Sequence, residues 1–140
     1  MTQNMPVAVV TGSSSGIGAA IAQRLASAGY AVFLHGCANA AGLDAVQDAL
    51  RKTHIQNVLP SSDLVTSQLS DLSNLSGIDE LFQATIQWHR RLDVWVNAAG
   101  ADVITGPSSQ WSFEEKLQRL FEVDVRATML LSRKAAAFMA

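Results

Sequence analysis

The sequence predicts an α/β fold: a doubly wound parallel sheet with its strands in the order 3-2-1-4. Three observations carry this. An apolar, β-branched run, Val7 to Val10, ends in the turn Gly12-Ser13-Ser14-Ser15-Gly16-Ile17-Gly18, which opens onto a helix of small residues. A second apolar run, Tyr30 to His35, follows that helix directly, so the three form a βαβ unit with parallel strands and a right-handed crossover. A later run, Leu92 to Asn97, is apolar on both faces, as a strand covered on both sides is. A right-handed βαβαβ half with a fourth strand beside the first gives the order 3-2-1-4. Its switch point lies between strands one and four, where such sheets bind their ligands at the strands' C-terminal ends.

The length of 140 residues bounds the chain to one domain, 1–140. Hydrophobic residues make up 49% and charged residues 16%, enough to bury a core. A net charge of −2 gives no electrostatic reason to expect nucleic acid or an anionic membrane as partner. Cys37 is the one cysteine, so neither an internal disulfide nor a cysteine metal cluster forms. His35, His54 and His89 lack ligand spacing, and no metal site is expected. No apolar run reaches transmembrane length. Met1-Thr2-Gln3-Asn4 lacks the charged start and apolar stretch of a signal peptide, so a cytoplasmic protein is the default expectation.

The elements follow in order. Helix one is predicted from Gly16 to Ser27, with Gly29 as a left-handed cap. His35 and Cys37 at the end of strand two read as packing rather than chemistry. Asn39 caps a helix over Ala40 to Lys52, with Leu43, Val46, Gln47 and Leu50 inward. Thr53 to Ser62, with Pro60, reads as a polar loop. Strand three is expected within Asp63 to Leu69. Ser73 or Asn74 caps a third helix whose face is Leu75, Ile78, Leu81, Phe82 and Ile86. It ends near Trp88-His89-Arg90-Arg91, where cations suit a helix C-terminus; Trp88 reads as a core or rim aromatic. Strand four, Leu92 to Asn97, is expected to be buried and breaks at Ala98-Ala99-Gly100. After the loop 101–110, Ser112 and Glu115 have capping-box spacing. One long helix follows to Ala140, with an expected inner stripe of Phe113, Leu117, Leu120, Phe121, Asp124, Thr128 and Leu131.

The glycine turn carries the chemistry. Gly12 lets the chain leave strand one sharply. Gly16 and Gly18 stand where a helix N-terminus offers unpaired N–H groups and partial positive charge, which suits a pyrophosphate. The spacing is Gly-x-x-x-Gly-x-Gly, and no lysine completes an NTPase-type loop. An ordinary strand–loop–helix turn would read the same from the glycines alone. Gly16→Val or Gly18→Val is expected to abolish dinucleotide binding with the fold intact.

Thr11-Gly12-x-x-x-Gly16-Ile17-Gly18 resembles the opening of the short-chain dehydrogenase/reductase family, and three further places agree. Asp71-Leu72 resembles the family's adenine-binding pair after strand three. Asn97-Ala98-Ala99-Gly100 resembles the Asn-Asn-Ala-Gly that ends its fourth strand, with Ala98 in place of the second Asn. Asp124 stands at the position of a helix-interrupting Asn that, in the family, links a catalytic lysine to solvent.

The resemblance implies a Rossmann-type domain binding NAD or NADP through Gly12, Ser14, Ser15, Gly16, Ile17, Gly18, Gly36, Asp71, Leu72, Asn97, Ala98, Ala99 and Gly100. Gly36 stands where an acidic residue would bond the ribose hydroxyls of NAD. Ser15 stands where NADP users of the family often carry a basic residue. With no positive charge at either place, the expectation leans to NAD, and Ser15→Arg should move the preference toward NADPH. The implied activity is hydride transfer between nicotinamide and a small carbonyl or alcohol substrate, in a homo-oligomer. The family's Ser and Tyr-x-x-x-Lys are absent, and Tyr30, the only tyrosine, begins strand two. The chain is therefore expected to be the N-terminal, cofactor-binding portion of a longer enzyme, with Asp124 the one residue of the proton relay it contains. A non-catalytic dinucleotide-binding or sensing module, and a remnant or assembly subunit, are the alternatives.

Overall fold

The computed structural model of the chain describes residues 5–55 and 63–140. Strands and helices alternate: β1 (Val7–Thr11), α1 (Gly16–Ser27), β2 (Ala31–Gly36), α2 (Ala40–Ile55), β3 (Val65–Leu69), α3 (Leu75–His89) and β4 (Val94–Asn97). A 3-10 turn (Gly106–Gln110), α4 (Phe113–Leu120), a π-helical segment (Phe121–Ala127) and α5 (Thr128–Met139) complete the chain. All pairings are parallel and the order is β3-β2-β1-β4, as the sequence predicts.

Period-2 alternation builds two cores from one sheet. Val9 and Phe33 face α3 and α5, packing with Leu72, Ile78, Leu81, Leu131 and Ala135. Val10, Val32 and Leu34 face the other way, onto Ala22 and Ala26 of α1 and Leu43 and Leu50 of α2. Each fully buried Val, Leu or Phe contributes about 1.5–3 kcal/mol relative to exposure, so β1 and β2, buried throughout, are the centre of the fold. Trp88 is a rim aromatic, edge-on to Phe33 at 5.8 Å.

Local signals set most boundaries. Asn39 Oδ1 accepts from the Gly42 N–H at 3.0 Å and caps α2. That helix runs to Ile55, past the expected end at Lys52; the rest of the expected 53–62 loop lies outside the described residues. Asn74 occupies the α3 cap position, but its amide donates to Asp71 Oδ2 instead. Leu75, expected on the inner face of α3, is that helix's first residue and is exposed. Ser112 and Glu115 form both bonds of a capping box.

Two expectations need correction. β4 is half-buried rather than buried, because among the described residues it is the edge of the sheet and pairs with β1 alone. The last helix is interrupted by a π segment, and most of the supposed inner stripe faces out: Phe113, Leu117 and Phe121 are 55–74% exposed, and Asp124 is exposed too. Of that stripe, Leu131 is buried, and Leu120 and Thr128 are half-buried. The sheet-facing surface is built from Leu131 flanked by Ala127 and Ala135, whose small side chains let the helix lie close to α3 and β4. Apolar content marked the wrong face because the face in contact with the sheet needed smallness more than bulk.

The register aligns Thr11 with Asn97 and Gly36 with Leu69. The C-terminal ends of the four strands therefore open onto one rim, and the connections that leave them form the site.

Candidate cofactor site

The β1–α1 turn is set by close backbone approach. A Cβ on Gly18 would lie 2.1 Å from the Gly12 carbonyl oxygen, and one on Gly12 would lie 2.6 Å from Ala99 Cα. The absence of side chains lets α1 fold back on the turn and lets the turn touch the chain leaving β4. Ser15, the α1 cap residue, makes no side-chain cap bond, so the helix N-terminus keeps its N–H groups for another acceptor. Around Gly16 nothing lies within 4 Å of a Cβ position, leaving space above that N-terminus.

Three polar side chains tie the strand ends together. Thr11 Oγ1 accepts from the N–H groups of Ala98 and Ala99, both at 3.1 Å, joining β1 to the chain after β4. Ser13 Oγ, fully buried, donates to the Val10 carbonyl at 2.9 Å and accepts from the His35 N–H at 2.9 Å. His35 Nδ1 accepts from the Gly12 N–H at 3.1 Å, and Nε2 donates to the Ser70 carbonyl at 3.0 Å. These partners require neutral imidazole with the proton on Nε2. Burial pushes the His35 pKa below its usual value, against the smaller opposite effect of the Ser70 bond.

The rim encloses a cavity of about 810 Å³, within the roughly 300–1,000 Å³ of small-molecule sites. Its floor is Gly12, Ser14, Ser15, Gly16, Ile17 and Gly18. Gly36, Cys37, Asp71 and Leu72 form one end, and Ala98, Ala99 and Gly100 the side along β4. Twelve of the thirteen cofactor residues expected from the sequence thus meet in one place.

The thirteenth, Asn97, turns away. Its Oδ1 accepts from Trp95 Nε1 at 2.9 Å and its Nδ2 donates to Ser132 Oγ at 2.8 Å, fastening β4 to α5. Asp124 also lies outside the cavity lining; its Oδ2 accepts from the Ala101 N–H at 3.1 Å and holds the loop after β4.

Several lining residues escaped the sequence reading, Asp102, Trp111, Arg119 and Val123 among them, and His35 and Cys37, read as packing, also line the cavity. Asp102 is held down to about 2 by the Thr105 hydroxyl and by the Thr105 and Ile104 N–H groups. At Asp71, burial pushes the pKa up. Bonds from Ser73 and Asn74 and the Arg119 charge outweigh that effect and hold the carboxyl below the usual carboxylate range. Burial, then the Asp71 charge, pushes the nearby Cys37 thiol up. Thr11 and His35 had one legible signal, a polar residue closing an apolar strand. Arg119 had none, because only folding brings α4 across the rim.

Residues 6–140 match the family described as short chain dehydrogenase. The chain belongs to the short-chain dehydrogenase family. It is 35% identical over 130 residues to an uncharacterised oxidoreductase of Methylorubrum extorquens, covering 93% of this chain and 48% of that protein. It is 32% identical over 129 residues to a diacetyl reductase, (S)-acetoin forming, of Staphylococcus epidermidis, covering 92% and 46%. Among solved structures, a metagenomic short-chain oxidoreductase in complex with NADP superposes with a TM-score of 0.76 at 34% identity, covering 96% of this chain and 56% of that one. The chain spans about half the length of the curated relatives it matches. The short-chain dehydrogenase fold accounts for the sheet order and for the placement of the rim. Among the described residues, no helix is long and apolar enough to cross a membrane, and no His/Cys/Asp/Glu group is placed to hold a metal.

Proposed function

We propose that this chain is the cofactor-binding half of an NAD(P)-dependent short-chain oxidoreductase. The observation that carries this reading is the cavity that joins the uncapped N-terminus of α1, the end of β2, Asp71-Leu72 and the chain leaving β4. The α1 turn would hold the pyrophosphate. Asp71 and Leu72 would take the adenine, Gly36 and Cys37 would lie along the adenosine ribose, and Ala98 to Gly100 would pass the second ribose. The bound dinucleotide supplies hydride exchange with a small carbonyl or alcohol. NAD and NADP both remain in this reading. The lean to NAD rested on missing positive charge, and Arg119 places a cation in the same wall.

No described side chain is proposed for proton transfer. Tyr30 precedes β2 at the opposite end of the sheet from the rim. Ser132 is engaged with Asn97, and Lys134 pairs with Asp79 at 2.9 Å. Asp124 would join a relay by holding the loop through Ala101, and its carboxylate would add negative charge where the family has a neutral amide. The exposed apolar residues of α4 and the π segment would be covered in a homo-oligomer, and a cytoplasmic location belongs to the same reading.

The test is calorimetric titration of the intact protein with NADH and NADPH, beside Gly16→Val. Micromolar binding that Gly16→Val abolishes supports the site. No binding of either dinucleotide, or undiminished binding by Gly16→Val, overturns it. A non-catalytic binding module is the second reading, favoured by Ser132 and Lys134 being engaged within the fold. Residues 1–140 expressed alone should bind without oxidising NADPH, and turnover by that fragment would mean the chemistry is misplaced here.

A further inference from the structure

Asp71 has more partners than a turn residue needs. Its Oδ1 accepts from the Ser73 N–H at 2.9 Å, and its Oδ2 from the Asn74 amide at 3.1 Å. Those two local bonds already close the turn that leads into α3. A third partner arrives from far along the chain. Arg119, on α4, brings Nη1 to 3.6 Å from Asp71 Oδ1. Its guanidinium lies 5.5 Å from the centre of the Trp111 ring, within the range of a cation–π contact. All three side chains line the cavity, at the end where Cys37 and Gly36 lie. Trp111, Arg119 and Asp71 therefore form a column along one wall.

The column adds little to the fold. Arg119 and Asp71 keep 34% and 42% of their side-chain exposure, and a pair so exposed contributes little to stability. Its chemical effect falls on the carboxylate. An ionised carboxylate offers about four acceptor directions. Ser73 and Asn74 fill one acceptor site on each oxygen, and Arg119 adds charge at 3.6 Å, so acceptor capacity remains on a carboxylate that lines the cavity. A carboxylate fixed in this way accepts from an exocyclic amine and rejects a carbonyl in the same place.

We propose that Arg119 is a positioning residue for base recognition: acting through Asp71, it fixes a carboxylate that selects the C6 amine of an adenine over the C6 carbonyl of a hypoxanthine. Trp111 in turn holds the guanidinium in place. The inference rests on the dinucleotide-binding reading above, in which Asp71 takes the adenine, and adds Arg119 and Trp111 to it.

The experiment compares NADH with its hypoxanthine analogue, in which a carbonyl replaces the adenine amine, on the intact wild type, Arg119→Met and Arg119→Lys. Arg119→Met should weaken NADH about three- to fivefold, the order of an exposed charge pair's worth. It should weaken the analogue less than twofold and leave the melting temperature nearly unchanged. Removing the cation should also raise the pH at which NADH binding is lost on acidification. Arg119→Lys, which keeps the charge, should restore that acid limb. Equal loss on both dinucleotides, an unmoved acid limb, or no loss at all overturns the role of Arg119 alone. Failure of the wild type to bind either dinucleotide overturns the proposed function, and this inference with it.

Discussion

His35 sits in the interior with both ring nitrogens committed, one to the turn and one to the chain leaving β3. Because burial lowers its pKa, the unfolded chain binds the extra proton more readily than the folded one. Its contribution to stability is therefore complete above the ordinary imidazole value of about 6.5 and falls as the pH drops below it. Urea denaturation at pH 7.5 and 5.5 should show lower stability at the acid value. His54, whose pKa burial also lowers, acts in the same direction. His35→Asn keeps an acceptor for Gly12 but removes the titrating group, so the pH slope should shrink to the His54 share; an unchanged slope would remove His35 from the account.

The two glycines on which binding was expected to hang also separate at this scale. Gly16 has φ +57 and open space, so Gly16→Val costs about 1–2 kcal/mol in strain and otherwise blocks only the cavity. Gly18→Val drives a side chain into the Gly12 carbonyl and should lower the melting temperature markedly, contrary to the expectation of an intact fold. The glycines were legible because their spacing is local. The bonds of His35 and the approach of Arg119 to Asp71 were not, because their partners lie 23 and 48 residues away in sequence.

At the scale of elements, legibility followed the range of the signal. The apolar runs of β1 and β2, the Gly29 cap and the capping box are written within a few residues, and each stands where expected. Ser112→Ala should cost about 1 kcal/mol, the usual worth of such a cap, measured as a shift in the chemical denaturation midpoint at constant slope. A shift near zero would mean that α4 is held by its neighbours alone. The π segment left no mark in the apolar pattern, and its one signal is Asp124, at the position of the family's helix-interrupting Asn. Phe113, Leu117 and Phe121, every four residues, read as part of the inward stripe of one continuous helix. They are exposed instead, because Ala127 and Ala135 had already taken the face against the sheet.

Over the whole molecule, that stripe and the half-paired edge β4 both lie uncovered. Exposed apolar surface of this kind marks an interaction site, and an unpaired apolar edge invites association. Sedimentation velocity on residues 1–140 should show association that grows with concentration, and Phe121→Glu with Leu117→Glu should reduce it. A monomer at high concentration would argue that this surface is tolerated bare. The sheet order carries a further consequence. Strands β1 and β2 are each paired on both sides and fully buried, whereas β4 has one partner and half its cover. In deuterated solvent, the amides of Val9 and Phe33 should exchange only when the whole domain opens, while those of Trp95 and Val96 should exchange through local fraying. The rim would then be stiff where the α1 turn and the end of β2 meet and soft along Ala98 to Gly100, so a ligand would gain most of its ordering effect on the β4 side.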